Sequence, residues 1–227
     1  VALTIGALSS LVLPGRLRAS GLTPAIIGVS LGLFGLLSGT LGIQPERICA
    51  LLAALLLLAC LSIPWLAMAS TPVRVTGPSA AAQIDPRHID KSVSMGVSMS
   101  VSIRLGTCLA LVILTPILCS TSQGIALSAL IGAALMLSTR SIRSRVEVLI
   151  GVLSGMAVLA WAAYAAALQS ATSLLLVLVT SLTGSLLVLA TNVVTPKTRP
   201  WLSRTADTIS TLVIIAVPPF ALYMWGM

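Results

Sequence analysis

Long apolar runs recur along all 227 residues of the chain, and short connectors separate them. Several runs approach or exceed 18 residues, the length that lets an α-helix cross the hydrocarbon core of a membrane. The runs are continuously apolar, which is typical of transmembrane helices rather than of alternating barrel strands. Only 8% of the residues are charged, whereas a soluble domain carries about 25%. The sequence therefore predicts an all-α fold, a polytopic bundle of transmembrane helices.

The pattern divides into eight helical segments. They cover about residues 1–14, 24–42, 45–68, 93–119, 123–139, 146–168, 170–193 and 205–226. The first is too short to span and has no signal-peptide features, so we expect it to be the end of a helix that begins upstream. The expected organisation is three transmembrane segments in 1–68, a cytoplasmic loop in 69–92 and five segments in 93–227. A short surface helix is expected near "PRHIDKS" in that loop.

Basic residues predict the orientation, because Lys and Arg accumulate in the short cytoplasmic loops of membrane proteins. If the spans alternate, every basic residue except Arg47 falls on one side of the membrane. We therefore expect a multi-pass protein of the inner (plasma) membrane, with basic loops in the cytoplasm and the C-terminus outside. This topology accounts for the net charge of +8, so nucleic acid is not an expected partner. Predicted contacts with lipid headgroups or cytoplasmic partners involve Arg87, Lys91, Arg104, Arg140, Arg143, Arg145, Lys197, Arg199 and Arg204.

Arg104 allows two interpretations, because it lies about a third of the way into the fourth predicted helix. In the first, the span starts near Arg104, the preceding turns project into the cytoplasm, and the side chain reaches the interface. In the second, Arg104 is a buried charge in a polar cavity.

Glycines are dense in the second predicted helix, and two pairs have the GxxxG spacing that lets helix backbones approach closely. The predicted packing residues are Gly28, Gly32, Gly35 and Gly39. Packing within the bundle and packing against another subunit both fit this spacing.

No P-loop, GxSxG or HExxH motif occurs in the chain. Asp85, His88 and Asp90 could suggest a metal site, but we expect them to belong to a solvated loop. The acidic residues all lie at connectors or helix ends, away from the middle of any span, which argues against an ion-coupled transporter. We therefore expect no enzymatic activity, catalytic residue, metal or cofactor. The four cysteines have no CxxC spacing and are expected to be free and buried. They are Cys49, Cys60, Cys108 and Cys119.

Three stretches resemble the EccD family, the multi-spanning membrane component of actinobacterial ESX (type VII) secretion systems. In "LMLSTRSIRSRVEVLIGVL", Arg140, Ser141, Arg143 and Arg145 match the family's short basic connector between two apolar helices. "LSIPWLAMASTPVRV" resembles its proline-containing turn before a long cytoplasmic loop. "TPKTRPWLSRTADTISTLVIIAVPPFALYMWGM" resembles its final linker and last span. The Ser- and Met-rich "DKSVSMGVSMSVSIRLG" departs from the family pattern.

The resemblance implies an 11-span protein with an N-terminal ubiquitin-like domain, of which this chain contains the fourth to eleventh spans. It also implies assembly with EccB-, EccC- and EccE-type subunits and a second EccD copy around a lipid-lined space. The EccC-type subunit is the ATPase, so the implied role is a non-catalytic structural subunit. A small-molecule transporter or permease is the alternative, motivated by the glycines and Arg104, and a membrane enzyme comes third.

The basic connector yields a first testable prediction. Substitution of Arg140, Arg143 and Arg145 by Glu should disturb the topology or weaken assembly, because it removes cytoplasmic positive charge. Membrane-impermeant labelling of the connector, together with native gel electrophoresis, would measure both effects. Unchanged topology and wild-type assembly would contradict the prediction.

Overall fold

The computed structural model describes residues 18–70, 86–139, 144–169, 175, 178–179 and 199–225. The elements within these ranges are six helices: α1 Arg18–Leu41, α2 Pro45–Ser70, α3 Pro86–Leu118, α4 Ser122–Ser138, α5 Arg145–Gln169 and α6 Arg199–Tyr223. No strand occurs in this part of the chain, and the predicted all-α class is confirmed. The predicted segment 1–14, and 170–193 apart from three residues, lie outside the described residues.

Local sequence explains where the helices begin and end. Gly42 ends α1 with a φ of 60°, a backbone conformation that glycine adopts without steric cost. Pro45 starts α2, where its missing N–H would have no intrahelical partner. Thr121 caps α4, and its hydroxyl accepts a hydrogen bond from the Gly124 N–H at 3.1 Å. Each connector residue therefore has a specific role in ending or starting a helix.

Three helices begin earlier than predicted. α6 begins at Arg199 rather than near residue 205. α1 begins at Arg18 and contains Pro24 in its second turn, where the proline removes one intrahelical hydrogen bond near the start of the helix. α3 joins the expected surface helix and the fourth predicted segment into one helix of 33 residues. No proline interrupts it between Pro86 and Pro116. At 1.5 Å per residue it is about 50 Å long, so it exceeds the roughly 30 Å hydrocarbon core.

Within the described ranges, four helices are long and apolar enough to span a membrane. The spanning stretches are Leu22–Thr40, Pro45–Ser62, Val97–Leu118 and Arg145–Gln169, and the shorter apolar helices are Ser122–Ser138 and Thr208–Tyr223. No single stripe of exposed polar residues runs along them, as expected of helices that have lipid as solvent. The chain is therefore an integral membrane protein.

α4 lies at the centre of the described bundle, and nearly all of its residues are buried. One face, with Leu127, Ile131 and Leu135, contributes to a large apolar core shared with α2, α3 and α6. The opposite face, with Ile125 and Ala129, packs on α5. α1 is peripheral, since only 6% of its spanning stretch is buried.

Close backbone contact joins α4 to α5. A Cβ added at Gly155 would lie 2.6 Å from Met136 Cγ and 3.0 Å from the Gly132 carbonyl oxygen. A Cβ at Gly132 would lie 2.7 Å from Leu159 Cγ. These two helices cross where each presents a glycine, so their backbones approach more closely than side chains would otherwise permit.

The bundle has two distinct ends. At one, which we call the tight-turn end, the Ser120 hydroxyl donates to Glu46 at 3.3 Å. The Gln169 amide there donates to the Cys119 carbonyl at 3.2 Å, and the Trp225 indole donates to the Arg47 carbonyl at 2.9 Å. The other, which we call the basic end, contains the beginnings of α3 and α5. Helices α1 to α5 thus alternate in direction, and α6 runs in the same direction as α5, since both end at the tight-turn end.

The α4–α5 contact yields a matched pair of substitutions. Gly155→Leu should destabilise the bundle by about 1 to 3 kcal/mol, because the added atoms overlap α4. Gly35→Leu is the control, since a Cβ at Gly35 has nothing within 4 Å. Both variants gain the same intrinsic helix propensity. Thermal unfolding of the isolated chain in detergent would measure the difference, and equal losses would contradict it.

Candidate functional site at the basic end

Arg104 is the most unusual side chain of the described bundle. It belongs to the spanning stretch Val97–Leu118, and only 3% of its surface is exposed. It lies roughly 10 Å along the helix from Val97. A permanent charge at this position is costly, so charged side chains inside membrane helices usually mark functional or structurally specialised sites. The structure therefore supports the second interpretation of Arg104, a buried charge.

Residues of three helices surround the guanidinium. Its Nη2 donates a hydrogen bond to the hydroxyl of Ser138, at the end of α4, at 3.1 Å. The Ser138 hydroxyl donates in turn to the Leu135 carbonyl at 2.8 Å. On the α5 side, a Cβ added at Gly151 would lie 3.1 Å from Nη2 and 2.5 Å from the Thr139 methyl carbon. The absence of a side chain at Gly151 therefore makes room for the arginine.

α3 and α5 run parallel beside this site, so successive residues on one face of α3 contact successive residues on the facing side of α5. The contacting pairs are Ser100 with Glu147, Arg104 with Gly151, and Cys108 with Ser154. Within each helix the members are three or four residues apart, which places them on one face. The result is a polar seam that runs from the basic end into the bundle.

Glu147 carries the negative charge of this seam. Its carboxylate accepts a hydrogen bond from the Ser100 hydroxyl. Glu147 lies one turn before Gly151 on α5, and Ser100 lies one turn before Arg104 on α3. A carboxylate in the first turn of α5 is also favourable with respect to the helix dipole. The acid is therefore held one helical turn closer to the basic end than the arginine.

The inner end of the seam contains two thiols. Cys60 on α2 lies beside Cys108 and Thr107 on α3. Each of the two cysteines is 1% exposed. Apolar side chains such as Leu111 and Leu114 follow on α3 toward the tight-turn end. The polar seam thus ends inside the bundle.

The guanidinium has more donors than protein partners. It carries five N–H groups and no acceptor, and its Nε is buried without a hydrogen-bond partner in the described part of the chain. Because arginine stays protonated, the site can bind and orient an electron-rich group but cannot act as a general base. Among the described residues, no three His, Cys, Asp or Glu side chains lie close enough together to hold a metal ion.

The predicted basic contact residues lie in several environments. Arg145 is exposed at the start of α5. The side chains of Arg87, Lys91, Arg199 and Arg204 lie outside the described part, although their backbones belong to α3 and α6. Arg140, Arg143 and Lys197 are outside it entirely. Arg104 alone of this set is buried in the described bundle. Its role in contacting a cytoplasmic partner or lipid stays a prediction, and its burial does not support that role.

The predicted glycine face of α1 is also open. Gly28 and Gly32 are partly buried, whereas Gly35 and Gly39 are exposed and have nothing within 4 Å of an added Cβ. The close helix contact in this chain instead uses Gly132 and Gly155. Gly155 has GxxxG spacing with Gly151 on α5, a pair that the prediction did not include. Packing of α1 against another chain stays a prediction.

Sequence reasoning missed Gly151 and the thiol pair. A usable signal was present, because Ser100, Arg104 and Cys108 recur every four residues along α3. Glu147 and Gly151 have the same spacing on α5. What the pattern does not show is that these two faces meet, since that depends on the register between helices.

An apolar groove of about 370 Å³ opens between α1 and α2. It is lined by Ala25, Ile26, Val29, Ser30, Leu33, Leu52, Leu55, Leu56 and Ala59. The Ser30 hydroxyl is directed to the Ile27 carbonyl of its own helix, at 3.0 Å. The groove is therefore lined by apolar side chains, and the hydroxyl group of Ser30 in its lining is already hydrogen-bonded within α1.

Comparison with known families gives one match. A sequence model described as the EccD-like transmembrane domain covers residues 1–227. No curated protein matches the chain.

The buried thiols yield a labelling prediction. Cys49, Cys60, Cys108 and Cys119 are free and buried. Burial also raises the pKa of the Cys119 thiol, so less of it is the reactive thiolate at neutral pH. A maleimide should label the folded chain very slowly and all four thiols after denaturation in SDS. A Gln44→Cys variant, in the exposed connector before α2, is the positive control. Rapid labelling of the folded wild type, at the rate of the control, would contradict the prediction.

Proposed function

This chain belongs to the EccD family, and on that premise we propose that it is a non-catalytic structural subunit of a type VII secretion complex. In this role it scaffolds an inner-membrane assembly around a partner ATPase. The observation that carries the proposal is the match of the EccD-like transmembrane domain to residues 1–227. The chain is an integral membrane protein, as a membrane component of that system must be.

The fold supports a scaffold in two ways. α4 is enclosed by its neighbours on both faces, and hydrogen bonds tie the helix ends together at the tight-turn end. Such a bundle holds its connectors in defined relative positions. Connectors held in this way can bind partner subunits without large ordering costs on assembly.

The proposed orientation places the basic end in the cytoplasm. All basic residues except Arg47 belong to segments that the alternation assigns to this side, and cytoplasmic loops are where such residues accumulate. The exposed Arg145 at the start of α5 lies at this end. In this orientation the ATPase subunit, which needs cytoplasmic ATP, docks at the basic end.

The proposed membrane partners are EccB-, EccC- and EccE-type subunits and a second copy of this chain. α1 is the part of the described bundle best suited to such contacts. Its glycines at 35 and 39 are open, and small residues of this spacing favour close helix association in membranes. The groove beside it is apolar and suits a lipid chain or a partner helix.

A small-molecule permease is the second candidate function, and the buried charge of Arg104 is the observation that favours it. The polar seam ends at Cys108 inside the bundle, so the described helices provide no continuous polar route across the membrane. Solute flux into liposomes containing this protein alone would support the permease and contradict the scaffold.

Purification from native membranes tests the scaffold. A tagged full-length protein in mild detergent should recover an ATPase and other Ecc-type subunits, whereas isolation as a lone monomer would contradict the proposal. Gly35→Leu combined with Gly39→Leu should reduce this recovery without lowering the thermal stability of the isolated chain. The reason is that the described residues leave open the space into which both added side chains point. Full recovery of partners by this variant would remove the α1 face from the proposed interface.

A further inference from the structure

We propose that ordered water binds between α3, α4 and α5 and links the guanidinium of Arg104 to the carboxylate of Glu147. The site is a buried hydrated pocket that neutralises an intramembrane charge. The proposal does not depend on which complex the protein joins.

The first observation is the unsatisfied hydrogen bonding of Arg104. The side chain is 97% buried, since 3% of its surface is exposed. Its Nη2 donates to Ser138 at 3.1 Å, and its Nε has no hydrogen-bond partner among the described residues. Buried polar groups are almost always hydrogen-bonded, and ordered water is the usual partner where protein atoms do not supply one. A buried guanidinium without such partners would be strongly destabilising.

The second observation is the position of the opposite charge. Glu147 lies on α5 one turn from Gly151, and Gly151 contacts the guanidinium. The hydrogen bond from Ser100 holds the carboxylate on the face of α5 that meets α3. Ser100 lies one turn from Arg104 on α3, as Glu147 lies one turn from Gly151 on α5. The acid and the base therefore belong to adjacent turns of one seam, although no direct ion pair joins them in the described chain.

The third observation is the lining of the seam. A buried water needs two to four polar partners. Ser100 and Ser138 supply hydroxyl groups near the charges, and Thr107 supplies one beside Cys60. The seam thus has the polar groups to which a bound water would form hydrogen bonds.

Other ligands fit less well. The negative charge of Glu147 opposes an inorganic anion beside Arg104. A lipid phosphate would need direct access to the guanidinium, and 97% burial prevents this. Water is neutral, so Glu147 does not repel it, and it is small enough to enter a buried site. It can also donate and accept hydrogen bonds.

Radiolytic footprinting of the full-length protein in lipid nanodiscs, in water enriched in oxygen-18, tests the pocket. Short X-ray exposure makes hydroxyl radicals from water, and these oxidise nearby sulfur atoms. Cys60 and Cys108 should take up the isotope several-fold faster than Cys49, although the static exposure of all three is 1% or less. Arg104→Met should lower the labelling of the first two and leave that of Cys49 unchanged. Equal labelling of all three cysteines in the wild type would overturn the proposal.

Thermal unfolding tests the charge link separately. Arg104→Met and Glu147→Gln each leave one charge without its counterpart, and each should lower the melting temperature by roughly 6 to 12 °C. The double variant carries neither charge and should lose less than the sum of the two single losses. Arg145→Gln, which neutralises an exposed cation on the same helix, should change the temperature little. A double variant whose loss equals that sum would overturn the link between the two charges.

Discussion

The close approach of α4 and α5 is the contact on which the described bundle depends. Gly132 and Gly155 let the two backbones meet, with Met136 and Leu159 packed over them. Because lipid tails are as apolar as leucine, membrane helices gain little from burying apolar surface against each other. Association depends instead on close van der Waals packing, which glycine permits. The same crossing encloses α4 and sets the axial register of α5 relative to α3.

The register between α5 and α3 determines the environment of Arg104. With α5 in this register, Gly151 rather than a bulky residue lies against the guanidinium, and Glu147 lies one turn away. A shift of α5 by one residue would rotate both away from α3, since successive helical residues point about 100° apart. An apolar contact near the middle of the membrane thus stabilises a charged site nearer its surface.

The fold class, the membrane location and most of the helices could be predicted from the sequence, because they follow from run length and composition. The bounds of α2 and α4 agree closely with prediction, since Pro45 and Thr121 are local start signals. α3 was predicted less well, because its Ser-rich first turns give only a weak apolar pattern while nothing in them breaks a helix. The family was also predicted, from the order of several short stretches.

The candidate site was less predictable for a physical reason. The prediction singled out the four glycines of α1, whereas the contact in this chain pairs Gly132 with Gly155, whose GxxxG partner on α5 is Gly151. Spacing within a helix is a local property, but pairing between helices depends on their register. Likewise, the sequence left two environments open for Arg104, and no local feature distinguishes them.

The sequence by itself determined that this chain crosses a membrane as helices, and where its positive charge concentrates. Run length, helix-ending residues and the distribution of Lys and Arg suffice for that, because the membrane acts on each segment separately. Only the tertiary structure decided that Arg104 is buried, that Ser138 and Gly151 adjoin it, and that α1 presents its glycines outward. Those properties arise from contacts between distant segments, and such contacts depend on how whole helices fit together.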